Sequence, residues 1–378
     1  MKIKSFRALM PDQDWFTHLL SSGKHSVLRS FLEPQADMTL SKLAKNTQSL
    51  DSLITGGQYH SSVLPGIYVY EQENVSGSHF GIWTLTSLQD FRENNILAHE
   101  QTLTAHAEQL RLYRENVGLE ASPVLLTYQR NQLITRLTES ISLHAPDHCF
   151  SDSGTKHCIW AVTDKTIQDE LIAAFTEVKQ VCIADGHHRM EAAAMQVGGQ
   201  QWISTLYVSS GQLSSSAFHR MLLPDRPISK SSLFSAISPF FQISESAENL
   251  PVKPKRPGQL GLYFHRRWYK LELKSCAKDQ PDVCLLQEEV LAAYFNMTDP
   301  RTDQRMTCWP DNLWDKMIGN AAENAETILF TLAPISPDRL LHLADSGHRL
   351  PPKSTYIQPK LPYGLLMHRL ETKSLCVY

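Results

Sequence analysis

Long apolar runs are missing from this chain of 378 residues, and no eighteen apolar residues follow one another. No helix is therefore expected to span a membrane. Paired cysteines are missing too. The seven cysteines stand singly, without any Cys-x-x-Cys, so an odd set of reduced cytoplasmic thiols is expected in place of a disulfide framework. The opening Met-Lys-Ile-Lys-Ser-Phe-Arg has no apolar stretch of the kind a secretory signal needs. A marked excess of charge of either sign is missing as well. A formal net charge of −3 gives no electrostatic reason to expect nucleic acid or an anionic membrane as partner. The one basic cluster, Lys253, Lys255 and Arg256, is short and proline-rich and reads as a solvated loop. No internal repeat or low-complexity tract interrupts the chain. What remains, 42% hydrophobic and 20% charged residues, fits a globular protein with a substantial core.

The most informative stretch is residues 181–191, Val-Cys-Ile-Ala-Asp-Gly-His-His-Arg-Met-Glu. A short β-branched run enters a turn at Asp185-Gly186, and the chain then continues in strong helix formers. His187, His188 and Arg189 thus fall in the first turn of a helix leaving a strand. First-turn N–H groups have no intrahelical partner, and the helix dipole adds partial positive charge there. Gly186 lets a ligand approach the backbone closely, and Arg189 offers a planar fork of donors. The combination suits phosphate oxygens. The plainer alternative makes Asp185 a helix cap and the basic residues a solvated first turn.

Around this stretch, strands and helices alternate. A hairpin is expected over 67–72 and 79–86, a helix over 103–117, and strands at 123–128, 158–162, 181–184 and 203–208. Helices follow at 166–177 and after residue 186. This pattern argues for a mixed α/β layer structure. The proline-rich stretch 251–257 is the linker candidate. The chain is accordingly divided into an N-terminal α/β region, 1–235, and a C-terminal region, 236–378, packing as one catalytic unit. Beyond the linker, a hairpin is expected at 260–264 and 268–273 and a helix at 284–295. Ser336 and Pro337 open a further helix that Gly347 closes.

His99-Glu100 begins like a zinc-protease motif, but Leu103 stands where the second histidine should fall. His106 lies two helical turns away. Glu100 has the chemistry of a general base for an acceptor hydroxyl; it reads equally as a solvated residue near a helix start. Residues 347–354 miss the Walker A spacing, because Pro352 replaces the required glycine and has no N–H to offer. Ala217-Phe-His219-Arg220 reads as a structural strand-end pair, and Asp303 is a candidate magnesium neighbour.

Asp185-Gly-His-His-Arg189 resembles the signature of the domain-of-unknown-function 1015 family. So do His99-Glu100 with Thr102, Tyr68-Val-Tyr70 followed by Gly81-Ile82, and Leu350-Pro-Pro-Lys-Ser-Thr-Tyr356 followed by Pro359-Lys360 and Gly364-Leu365. These elements span residues 65–370 in the family's order. Departures are Ala98 and Gln101 in place of cations, Met190 in place of an aromatic residue, and no Pro-Pro-Tyr-Asp segment in residues 1–60.

The resemblance implies a ParB/sulfiredoxin-like nucleotide-binding core with additional α/β elements. It also implies transfer of a phosphoryl group from ADP or ATP, with Mg2+, to a small hydroxyl compound, L-serine giving O-phosphoserine. Glu100, His99 and His188 would be catalytic. Asp185, Gly186, His187, His188, Arg189 and Thr102 would hold the nucleotide's phosphates, with Lys353, Ser354 and Thr355 near the ligand. Two alternatives stand beside it: a ParB-like nucleotide-binding regulator without catalysis, and a metal-dependent hydrolase built on His99, Glu100 and the histidine pair.

Overall fold

The computed structural model describes every residue except 33–37, 76, 101–103, 153, 197–200, 275–279, 301–302, 359 and 371–378. It is a mixed α/β protein with several sheets that divides into two units. The first comprises Met1–Leu213, Ala344–Ser346 and the stretch from residue 360 onward; the second comprises Ser214–Leu343 and Gly347–Gln358. Among the described residues no helix is long and apolar enough to cross a membrane.

The first unit is built on a nine-stranded sheet. Its order is Ile96–Leu97, Val181–Asp185, Val124–Tyr128, Trp202–Ser209, Gly77–Ser87, Ile67–Asn74, Thr155–Val162, His148–Asp152, with Ile3–Lys4 paired to Gly77–Ser87. Two pairings are parallel, Val181–Asp185 on Ile96–Leu97 and Trp202–Ser209 on Val124–Tyr128. Val181 and Ile183 point into the core with Leu171 and Phe175 from the helix Lys165–Thr176. Such alternation along a strand puts neighbouring side chains on opposite faces. Met190 is fully buried in the same core, so the aliphatic side chain takes up a packing role.

Within residues 1–65 lie the helices Gln13–Ser21, His25–Leu32 and Leu40–Thr55. A four-stranded sheet orders Tyr59–Ser61, Ala8–Pro11, Met367–Arg369 and Leu119–Glu120, which ties residues 367–369 to the N-terminal segment.

The expectation of reduced thiols is corrected at one pair. Cys149 and Cys158 stand directly opposite each other on adjacent antiparallel strands and form a disulfide. The strand His148–Asp152 carries no strong local signal, so its pairing with Thr155–Val162 was not anticipated. Cys182 and Cys284 are buried free thiols.

The second unit holds a seven-stranded, wholly antiparallel sheet: Phe241–Glu245, Arg267–Leu273, Gln259–Phe264, Ile328–Thr331, Ser214–Leu222 and Met306–Pro310, with Thr355–Gln358 also on Ser214–Leu222. The hairpin at residues 264–267 turns on His265 and Arg266, both with positive φ. That backbone matches the twist of the flanking strands. The stretch 251–257 lies inside this unit, where Thr331 Oγ1 donates to the Val252 carbonyl at 2.7 Å. The helix Pro337–Asp345 begins as expected, with Ser336 Oγ accepting from Arg339 N. Cys284 lies in the short helix Asp282–Leu285, and the chain continues through a wider π-helical turn, Leu286–Ala292.

Candidate functional site

The strand Val181–Asp185 ends beside a register shift against Val124–Tyr128, between Ile183 and Asp185. Such bulges re-aim the side chains that follow. Gly186 then adopts φ +95° and becomes the N-cap of the helix His187–Ala194. That left-handed conformation is strained for any residue with a Cβ. No side chain caps this helix, so Asp185 does not play the capping role that the plainer reading gave it. Its carboxylate instead accepts from Arg189 Nη2 at 2.9 Å and Lys360 Nζ at 2.8 Å. Burial would raise the Asp185 pKa, but Arg189 and then Lys360 outweigh it and hold the carboxyl at about 2. The ionised aspartate thus keeps two cations at the mouth of an uncapped helix N-terminus. The pairing with Lys360 spans 175 residues, and no local pattern announces it.

The parallel partner strand Ile96–Leu97 brings in the second motif. Its register sets Ile96 opposite Val181 and Leu97 opposite Cys182. Continued two or three residues, it places His99 and Glu100 alongside the end of the neighbouring strand and its turn. His99 is 1% exposed and packs edge-on against His187, which is 8% exposed, with ring centroids 4.4 Å apart. Cys182 Sγ lies 3.4 Å from His99 Nδ1. Burial lowers His99 to about 4, and burial with the neighbouring His99 drives His187 well below the ordinary imidazole value. Both rings are therefore neutral at physiological pH. His99, His187 and the half-buried Glu100 each offer a ligand atom, all within 4.8 Å of one another.

His188 diverges from His187, as adjacent helical residues must, and its ring packs edge-on against His106 at 4.7 Å. His106 belongs to the helix Thr104–Val117. The sequence set it aside as too distant for a shared metal, and here it backs the other histidine of the pair. Thr102 lies outside the described residues, as does Gln101.

The remaining candidates belong to the second unit. Lys353 has positive φ, and its carbonyl accepts from Arg220. Ser354 is buried and its hydroxyl donates to the Pro351 carbonyl, while Thr355 pairs with Ala217. Asp303, the candidate magnesium neighbour, is committed to Arg305, accepting from its backbone N–H at 3.0 Å, Nε at 3.0 Å and Nη2 at 2.6 Å. Magnesium prefers oxygen ligands in octahedral array. Among the described residues the one assembled donor group carries two imidazoles and one carboxylate, which does not fit it.

No curated protein matches the chain. Among solved structures it is similar to a free serine kinase variant in complex with AMP, at 12% identity and TM-score 0.45, over 76% of this chain and 91% of that one. SbnI from Staphylococcus aureus, with its C-terminus truncated, is similar at 12% identity and TM-score 0.41, covering 73% and 82%. A conserved hypothetical protein from Pyrococcus furiosus is similar at 11% identity and TM-score 0.41, covering 74% and 93%. Likeness at this level assigns no activity. The family described as protein of unknown function (DUF1015) matches residues 16–294, about three quarters of the chain, and the protein belongs to that family.

Proposed function

We propose that the Asp185–Arg189 loop binds the phosphates of ADP or ATP and that the protein transfers a phosphoryl group to a small hydroxyl acceptor. L-serine is the acceptor that the family resemblance implies. The observation that carries this reading is the uncapped helix N-terminus at Gly186 with Arg189 and Lys360 held beside it. Free N–H groups, a helix dipole and two cations make an anion site.

In the reaction, Glu100 takes the acceptor's hydroxyl proton as that oxygen attacks the terminal phosphorus. The bond from phosphorus to the bridging oxygen breaks, and ADP or AMP leaves. The loop's N–H groups and Arg189 stabilise the charge on the phosphoryl oxygens, where positioning and electrostatics supply most of the catalysis. His99 and His187, neutral and buried, wall the acceptor side.

Product analysis after incubation with ADP or ATP and a panel of hydroxy amino acids tests this. O-phosphoserine should form, and Glu100→Gln should cut the rate by about 10²–10⁴-fold, the usual share of positioned acid–base catalysis, while nucleotide still binds. Ala98 and Gln101, where relatives carry cations, favour a second reading as a nucleotide-binding regulator. Nucleotide binding with no phosphorylated product in any arm would select it.

A further inference from the structure

Three donors of different origin converge beside the loop: His99 and Glu100 from the extension of one strand, His187 from the first turn of the helix after its neighbour. The Nε2 atoms of His99 and His187 are both buried and make no hydrogen bond within the protein. Leaving such atoms unpaired is costly, and native interiors contain few of them. Two orphaned ring nitrogens within reach of one carboxylate point to a missing electrophile. His99 Nδ1 is engaged with Cys182 Sγ, which orients the ring and leaves Nε2 as its ligating atom, as outer contacts do around bound metals.

We propose that His99, His187 and Glu100 form a binding site for a divalent transition-metal ion of the zinc type. Two imidazoles and a carboxylate are the donor set of three-ligand zinc sites, which keep a further position for water or another oxygen ligand. Imidazole nitrogen also selects zinc-like ions over magnesium. The donor atoms need to close in only slightly from 4.8 Å, since ligands at about 2.1 Å from one ion lie about 3–4 Å apart. Coordination through one Glu100 oxygen leaves the other to accept a proton, so the site is compatible with phosphoryl transfer but does not rest on it.

The test is calorimetry on the full chain after EDTA treatment, titrated with Zn2+ in excess Mg2+, with Co2+ as a spectroscopic substitute. Expected are one zinc per chain undisturbed by magnesium, and visible Co2+ bands of a nitrogen–oxygen site without a thiolate charge-transfer band. His187→Gln and Glu100→Gln should each weaken zinc by more than the roughly 10–100-fold that outer contacts contribute. His106→Ala, outside the donor group, should not. Circular dichroism checks the fold of each variant. Should His187→Gln fail to fold, Glu100→Gln and the wild-type Co2+ spectrum carry the decision. Absence of zinc uptake by wild type, unchanged affinity in both folded variants, or thiolate bands in the Co2+ spectrum would overturn the assignment. Zinc uptake by a protein that phosphorylates nothing leaves the metal site standing and ends the phosphotransfer reading alone.

Discussion

Two of the chain's five His-Arg pairs, His219-Arg220 and His188-Arg189, live under opposite conditions. His219-Arg220, in the second unit, is fully satisfied. Leu332 N donates to His219 Nδ1 at 3.2 Å, and Nε2 reaches Asp311 Oδ1 at 3.2 Å. Arg220 donates to the carbonyls of Lys353 and Pro352 at 2.9 and 3.0 Å. His188-Arg189, in the first unit, sits in a neighbourhood of loose ends: Nε2 of His187, Nε2 of His99 and Nε of Arg189 are buried with no hydrogen-bond partner. Residue types alone do not separate a brace from a site. The hydrogen-bond balance does, because evolution has little reason to leave a buried polar atom unpaired except where a ligand will meet it.

The sharpest way to break this contrast is Arg220→Ala. It removes two part-buried hydrogen bonds from a charged group and should cost roughly 3–5 kcal/mol, since such bonds contribute about 1.5–3 kcal/mol each. Urea unfolding measures it; a loss below about 1 kcal/mol would mean that the brace is decorative.

Arg189→Ala should behave in the opposite way. Nucleotide affinity should fall by about 1.5–3 kcal/mol, the worth of a charge-assisted hydrogen bond, while stability changes far less than for Arg220→Ala. Calorimetry with ADP, paired with the same urea series, decides; equal affinity in wild type and variant removes Arg189 from the phosphate site.

The third effect is smaller and sharpens the satisfied side. Burial, only partly offset by the Asp311 hydrogen bond, lowers His219 to about 4 against an ordinary value of 6.5. With the folded value depressed, the unfolded chain binds the proton more readily. The stability that His219 contributes is therefore whole above pH 6.5 and is lost as pH falls towards 4. Between pH 7 and pH 5 the loss should be about 2 kcal/mol. His219→Gln should flatten that part of the stability–pH curve; an unchanged curve would place the titration elsewhere.

Much of the local structure was legible in the sequence. The strand entering Asp185-Gly186, the helix beyond it, the 259–273 hairpin and the Ser336-capped helix all follow from patterns confined to a dozen residues. What escaped was long-range. The Lys360 link to Asp185 and the partnership of His106 with His188 depend on tertiary packing that no window reveals. The strand at 148–152 is short and mixed in polarity, so its disulfide partner was invisible too. The alternative role of Asp185 as a helix cap fails for a physical reason: Gly186, free to take positive φ, occupies the cap position and releases the carboxylate for two cations.

The Lys360–Asp185 pair also sets a clock. A ribosome emits Asp185 long before Lys360, so while the intervening stretch is made the loop exists with only one of its two cations. The residues that close the four-stranded sheet, Met367–Arg369, emerge later still. The emerging chain therefore carries Asp185 and Arg189 early but gains the second cation only 175 residues after Asp185. Under the proposed reading, the anion site is complete only once Lys360 has joined the loop.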